Sequence, residues 1–134
     1  DDVGWKTSLN FLNGAMECDW NERYQTNGGD MVDLGAVCDW WEDQGMDWRR
    51  ITKIWIPWEH KLAGSLPPEI RHLTHLKSVS MAYQNITGDI PPGVCSLTKL
   101  EELSLSNNYV TGRLPKCMKN MKELRILAMD DNLL

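Results

Sequence analysis

The chain has 134 residues, of which 42% are apolar and 25% charged, with a net charge of −5. That is the make-up of one folded domain, too hydrophobic for a disordered tail and too acidic for a nucleic-acid module, which needs a basic face. No apolar run approaches the roughly 18 residues of a membrane span. The chain opens without an initiator Met or a signal-type apolar segment and reads as a mature or trimmed product. Its four cysteines, an even number, fit an oxidising compartment. These averages conceal two regions. All seven Trp lie at or before Trp58, and residues 1–50 carry 11 Asp/Glu against 4 Lys/Arg. Residues 51–134 carry 8 against 10 and are rich in Leu.

In chain order, residues 3–13 are predicted to form a helix. Trp5, Leu9 and Leu12 recur at i, i+4 and i+7, Asp2 is placed to cap the start and Gly14 to end it. The stretch from Gln25 to Asp30 is a loop by composition. From residue 51 onward the chain repeats itself. A shift of 24 residues lays Val79-Ser80-Met81 over Leu103-Ser104-Leu105 and then over Leu127-Ala128-Met129. Gly64, Gly88 and Gly112 share a column, as do the Leu-Pro or Ile-Pro pairs that start at Leu66, Ile90 and Leu114. The first unit holds one extra residue between Ile56 and Leu62.

Each column has a physical reason. The alternation around Val79 and Leu103 predicts a short strand with one buried face. The glycines permit a turn that a Cβ would hinder. The prolines cannot continue a ladder, so the chain leaves the strand and runs back. Ile70 and Leu73, Val94 and Leu97, and Met118 and Met121 then point inward from the return segment. One turn cannot bury its own apolar side, but stacked turns share a core.

The pattern L-x-x-L-x-L-x-x-N-x-L-x-G-x-I-P, nearly complete from Leu100 to Pro115, resembles the leucine-rich repeat, specifically the 24-residue plant-type subclass. The resemblance covers residues 51–134, divided as 51–75, 76–99, 100–123 and a partial unit 124–134, with residues 1–50 as an N-terminal cap. It implies an α/β fold: a right-handed solenoid with short parallel strands on its concave face and a helical cap over the first turn. It also implies an Asn ladder that hydrogen-bonds the backbone, here Asn108 and Asn132. Gln84 holds that column in the second unit and His60 roughly in the first. Similar repeats occur in plant receptor ectodomains, secreted plant inhibitors and protist surface antigens.

Cys38-Asp39-Trp40-Trp41, followed by Arg49 to Ile54, looks like the cap of this subclass, in which a second Cys usually follows the Trp shortly. That Cys is missing, and the available partner for Cys38 is Cys18, each at the head of a Cys-Asp-Trp tripeptide. Cys95 and Cys117 lie on the return sides of adjacent repeats, where a second bridge is permitted. Each bridge closes a loop of about 20 residues, worth roughly 3 kcal/mol in the chain-entropy model. The alternative is four reduced, buried thiols.

Residues between the buried strand positions form columns on the concave face. One reads Trp55, Ser80, Ser104, Ala128, and the one before it Lys53, Ser78, Glu102, Ile126. Beyond them run Pro57, Ala82, Ser106, Asp130, and then Trp58, Tyr83, Asn107, Asp131. The candidate binding residues are Trp55, Trp58, Ser80, Tyr83, Glu102, Ser104, Asn107 and Asp131: aromatic near the cap, small and polar in the middle, acidic at the far end. Exposed Trp and Tyr serve as interface anchors. Alternatively, Trp55 and Trp58 pack against the tryptophans of the cap.

Asn85-Ile86-Thr87 is an N-glycosylation sequon. His72 and His75 stand three apart on a return segment without a local carboxylate or Cys to complete a metal site, and a solvated face accounts for them. Asp39, Glu42, Asp43 and Asp47 form an acidic cluster without the calcium-loop pattern. No nucleophile elbow, phosphate-binding Gly loop or zinc-protease motif is present, which points away from an enzyme, and neither a metal nor another cofactor is called for. The unfinished fourth turn predicts that more repeats follow, or that another molecule covers that end.

The expected function is extracellular or cell-surface recognition of a protein or peptide through the concave face, as in a receptor ectodomain or secreted binder. The alternative is a structural module of a surface coat or extracellular assembly that docks neighbouring copies through its cap and open solenoid end. Surface-exposed Trp20, Trp40 and Trp41 would favour the second.

Overall fold

The structure is a computed structural model, and it describes residues 21–25, 28–29, 31–43, 46–56 and 62–134. The predicted helix over residues 3–13 lies outside the described residues. Three strands open the described chain: β1 (Asn21–Gln25), β2 (Met31–Asp43) and β3 (Met46–Trp55). They pair antiparallel, with a register shift between Val37 and Cys38. Of the loop expected from Gln25 to Asp30, Gln25 belongs to β1, and Gly28 and Gly29 turn between β1 and β2. Sequence reading did not anticipate this antiparallel portion.

After β3 the chain repeats its course. A short strand, β4 (Ala63–Gly64), is followed by a 3₁₀ turn, Pro68–His72. The next unit comprises β5 (Ser78–Ser80), β6 (Asn85–Asp89) and the 3₁₀ turn Pro92–Ser96. The third comprises β7 (Glu102–Ser104), β8 (Tyr109–Thr111) and Lys116–Asn120, and β9 (Ile126–Ala128) belongs to a fourth. The main sheet has the order β1-β2-β3-β5-β7-β9, parallel from β3 onward, and β4-β6-β8 form a second sheet of three strands. Because β3 runs from Met46 to Trp55, a single strand carries the sheet from the cap side into the first repeat.

The alternation seen in sequence places the middle residue of β5 and of β7 in the core: Val79 and Leu103 are fully buried, between half-buried neighbours. Ile54, Val79 and Leu103 stack in register, and Met81, Leu105, Ile86, Val110, Leu76 and Leu100 extend the same core. Each fully buried Leu or Ile is worth about 1.5–3 kcal/mol over the exposed side chain. Pro67, Pro91 and Pro115 precede the three 3₁₀ turns, consistent with a residue that stops a strand and pre-sets the turn. Ile70, Val94 and Met118 point inward from those turns.

Two glycines are required by geometry. Gly112 has φ +77°, and a Cβ there would come within 2.5 Å of the Asp89 carboxylate. At Gly93 a Cβ would stand 2.8 Å from the carbonyl oxygen of Pro68, so adjacent return segments approach at backbone distance.

Candidate binding face

The concave columns are built by parallel register. Lys53, Ser78, Glu102 and Ile126 are successive partners across β3, β5, β7 and β9, and so are Trp55, Ser80, Ser104 and Ala128. Paired residues in parallel strands face the same side. Since Val79 and Leu103 face the core, these two rows face away from it. Their middle members, Ser78, Ser80, Glu102 and Ser104, are half-buried, and Lys53 and Ile126 are exposed.

Hydrogen bonds tie neighbouring turns together on this face. The Ser78 hydroxyl donates to Oε2 of Glu102 at 3.0 Å. Two columns further on, the Ser106 hydroxyl donates to Oδ1 of Asp130 at 2.5 Å. Both pairs are 24 residues apart, so the repeat length itself was the signal that could have revealed them. At the cap side the Lys53 ammonium lies 5.4 Å from the centroid of the Trp55 ring, within cation–π range. Trp55 is half-buried and packed against the core, so it both supports the first turn and lines the face. Trp58 lies outside the described residues.

Where the strands end, Tyr83, Asn107 and Asp131 share a left-handed backbone, with φ of 58°, 56° and 53°. Asn and Asp tolerate that region better than most residues; Tyr tolerates it poorly. The Tyr83 and Asn107 amides still donate to the next turn, to Ser106 O and Asp130 O, each at 2.9 Å. This conformation was not read from the sequence. It leaves Tyr83 61% exposed and Asp131 exposed at the rim, with Asn107 half-buried.

The left-handed residue also directs the next side chain inward. Asn108 is buried; its amide donates to Met81 O and Leu105 O at 2.9 Å and to Ser106 O at 3.2 Å, and its Oδ1 accepts from Ile86 N–H at 2.9 Å. Asn132 repeats this with Leu105 O, Met129 O and Asp130 O, accepting from Val110 N–H. Gln84 reaches Ile56 O at 3.4 Å and Ala82 O at 3.2 Å and accepts from Leu62 N–H at 2.7 Å. His60 lies outside the described residues.

Cys95 and Cys117 are joined by a disulfide across adjacent return segments, with Cα atoms 5.9 Å apart. They border a cavity of about 390 Å³, lined also by Thr98, Asn120, Met121, Lys122 and Glu123. Cys38 is also disulfide-bonded; Cys18, its expected partner, lies outside the described residues. Asn85 is exposed on β6. His72 accepts from Arg71 at 3.3 Å, while His75 contacts Thr74 at 3.4 Å. Desolvation by burial, with Lys99 and Arg50 adding to it, holds the His75 imidazole below its usual pKa. Among the described residues, no group of three or more His, Cys, Asp or Glu is placed to hold a metal ion. The side chains of Asp39, Trp40, Trp41, Glu42, Asp43 and Asp47, and all of Trp20, lie outside what is described.

Comparison with known proteins places this geometry. The family model described as Leucine Rich Repeat matches residues 99–121. No curated protein matches the chain. Among solved structures, the chain is similar to the BIR2 ectodomain from Arabidopsis thaliana, at 21% identity and a TM-score of 0.62, covering 98% of this chain and 68% of that one. It is similar to the leucine-rich-repeat ectodomain of the receptor kinase SOBIR1 from the same plant, at 22% identity and 0.57, covering 96% of this chain and 62% of that one. A third similarity is to the BIR3–SERK2 complex, also from Arabidopsis thaliana, at 27% identity and 0.56, over 73% of this chain and 50% of that one. The chain therefore spans less than two thirds of the SOBIR1 ectodomain it matches. With its 24-residue period, its Asn ladder, its parallel repeat strands and the family-model match over residues 99–121, this chain has a leucine-rich-repeat solenoid fold like that of the plant ectodomains it is similar to.

Proposed function

We propose that the chain is an extracellular recognition module that binds a protein or peptide through its concave face, with residues 1–50 acting as the cap of the solenoid. The observation that carries this reading is the in-register row of solvent-facing side chains on β3, β5, β7 and β9, bordered by exposed Tyr83 and Asp131. Such a face is polar in its middle, with aromatic groups at one end and carboxylates at the other. It suits an extended segment that lies across the strands. The half-buried rows supply hydrogen bonds, while Tyr83 and Trp55 supply area with little side-chain entropy to lose. The similarity to a complex of two proteins, BIR3 and SERK2, supports a protein partner. The disulfide-bonded state of Cys38, Cys95 and Cys117 supports an oxidising compartment. No helix among the described residues is long and apolar enough to cross a membrane.

The test is selection of binders from a displayed random-peptide library, followed by affinity measurement against variants. Tyr83→Ala and Glu102→Lys should each weaken the selected peptides by about tenfold or more, the scale of an interface hot spot. Arg71→Ala on the return side should leave affinity unchanged. Peptides indifferent to both concave substitutions would sink the proposal.

A further inference from the structure

Asn85-Ile86-Thr87 is the one Asn-x-Ser/Thr sequence in the chain, and the concave face does not use it. It lies on β6, in the second sheet. Successive strand residues alternate between faces. Ile86 is buried, so Asn85, Thr87 and Asp89 take the opposite, outer face, and all three are exposed. The flanking strands follow the same parity. Ala63 of β4 is the register partner of Asn85, and Tyr109 of β8 is the partner of Thr87. Val110 is buried, so Tyr109 also faces outward, and it is 54% exposed. The hydrogen bond from the Thr111 hydroxyl to Oδ1 of Asp89, at 2.8 Å, ties outward side chains of β6 and β8 on this face.

The amide of Asn85 thus stands in the open with a small neighbour, Ala63, on one side. On the diagonal across the other side is a large aromatic ring. With strands about 4.8 Å apart and a rise of about 6.6 Å over two residues, the two positions are about 8 Å apart, within reach of an aromatic side chain. An exposed ring offers an apolar, electron-rich face, and a pyranose offers a face of C–H groups to match it.

We propose that Asn85 carries an N-linked glycan whose innermost sugar lies against the ring of Tyr109. In the attachment step the Asn85 side-chain nitrogen attacks C1 of the first N-acetylglucosamine of a lipid-pyrophosphate-linked oligosaccharide. The N–C1 bond forms, the C1–O bond to the pyrophosphate breaks, the amide loses one proton, and the lipid pyrophosphate leaves. The host's transferase supplies donor and catalysis. The proposal rests on the extracellular reading, because this modification belongs to the secretory route. It also goes beyond it, since the glycan occupies the second sheet and leaves the concave face open.

The experiment expresses the full chain behind a secretion signal in eukaryotic cells, as wild type, Asn85→Gln, Thr87→Ala and Tyr109→Ala. The wild type and Tyr109→Ala should be secreted with a glycan that a peptide N-glycosidase removes, leaving an aspartate at the modified position. Asn85→Gln and Thr87→Ala should emerge without it. Removing the glycan should lower the thermal midpoint of the wild type and lose most of that effect in Tyr109→Ala. A bare Asn85 in folded, secreted wild type overturns the site, and equal midpoint shifts in the two glycosylated proteins overturn the ring contact. Because the signal imposes the secretory route, a bare Asn85 counts against this site alone. The extracellular recognition reading stands or falls by the peptide-binding test.

Discussion

The two parts of the main sheet are built by different means. From β1 to β3 the strands pair antiparallel, and β2 and β3 run 13 and 10 residues. From β5 to β9 they are parallel and three residues each. A long antiparallel ladder spreads its backbone hydrogen bonds over many residues. Three-residue parallel strands make few, so the repeats depend on stacked apolar columns and on side chains that bond the backbone between strands. Their stability is therefore concentrated in a few repeated positions.

The largest expected effect comes from the core column that runs through both parts, Ile54, Val79, Leu103 and Leu127. Leu103 is 0% exposed and Leu127 is 41% exposed. Leu103→Ala should cost about 4 kcal/mol in urea unfolding, the range for a fully buried leucine. Leu127→Ala should cost about 1 kcal/mol, since much of its surface is already in water. Equal losses would show that the outermost turn is as well enclosed as the third, against the gradient described here.

Next is the ladder. Asn108→Ala would leave the Ile86 N–H and the Met81 and Leu105 carbonyls without their side-chain partner and should cost about 3 kcal/mol. Gln84→Ala should cost less, about 2 kcal/mol, because its amide reaches carbonyls at 3.2–3.4 Å rather than 2.9 Å. Thermal unfolding of the two variants gives the ranking, and the reverse order would remove the idea that the ladder strengthens away from the cap.

Close stacking of the return segments is tested at Gly93, where an added Cβ meets the Pro68 carbonyl at 2.8 Å. Gly93→Ala should cost about 2 kcal/mol, the scale of overpacking strain. A neutral result in the same unfolding assay would mean that the segments can part without loss.

The smallest effect is one of pH. Desolvation, then Lys99 and Arg50, lowers the His75 pKa in the folded chain from 6.5. The unfolded chain therefore binds the extra proton first, and stability should decline as pH falls through about 6.5, levelling off below the folded value. His75→Gln should flatten that part of a stability–pH profile. An unchanged profile would assign the slope to other groups.

Much of the repeat region was legible in the sequence for a plain reason: a fixed period places residues 24 apart side by side. Ser80 beside Ser104 and Glu102 beside Ser78 follow from counting, while Trp55 stands opposite Ser80, 25 residues away, because the first unit holds one extra residue. The left-handed backbone at Tyr83 did not follow, because its residue type argues against it and only the matching Asn107 and Asp131 hint at it. The short strand β1 and the long strand β2 were also missed. β1 is too short and polar to show a pattern, and the acidic, Trp-containing composition of β2 masks the two-residue alternation that marks a strand.

Periodicity by itself determined the repeat, its buried columns and the identity of the residues on the concave face, because burial of one face per turn is a local consequence of spacing. Only the tertiary structure decided how the first strands join the sheet and where the second sheet sets Thr87 beside Tyr109. It alone also showed that Asn108 is closed in by carbonyls of two turns. Those arrangements depend on contacts between residues distant in the chain, and neither local propensity nor spacing within one unit encodes the closeness of two backbones.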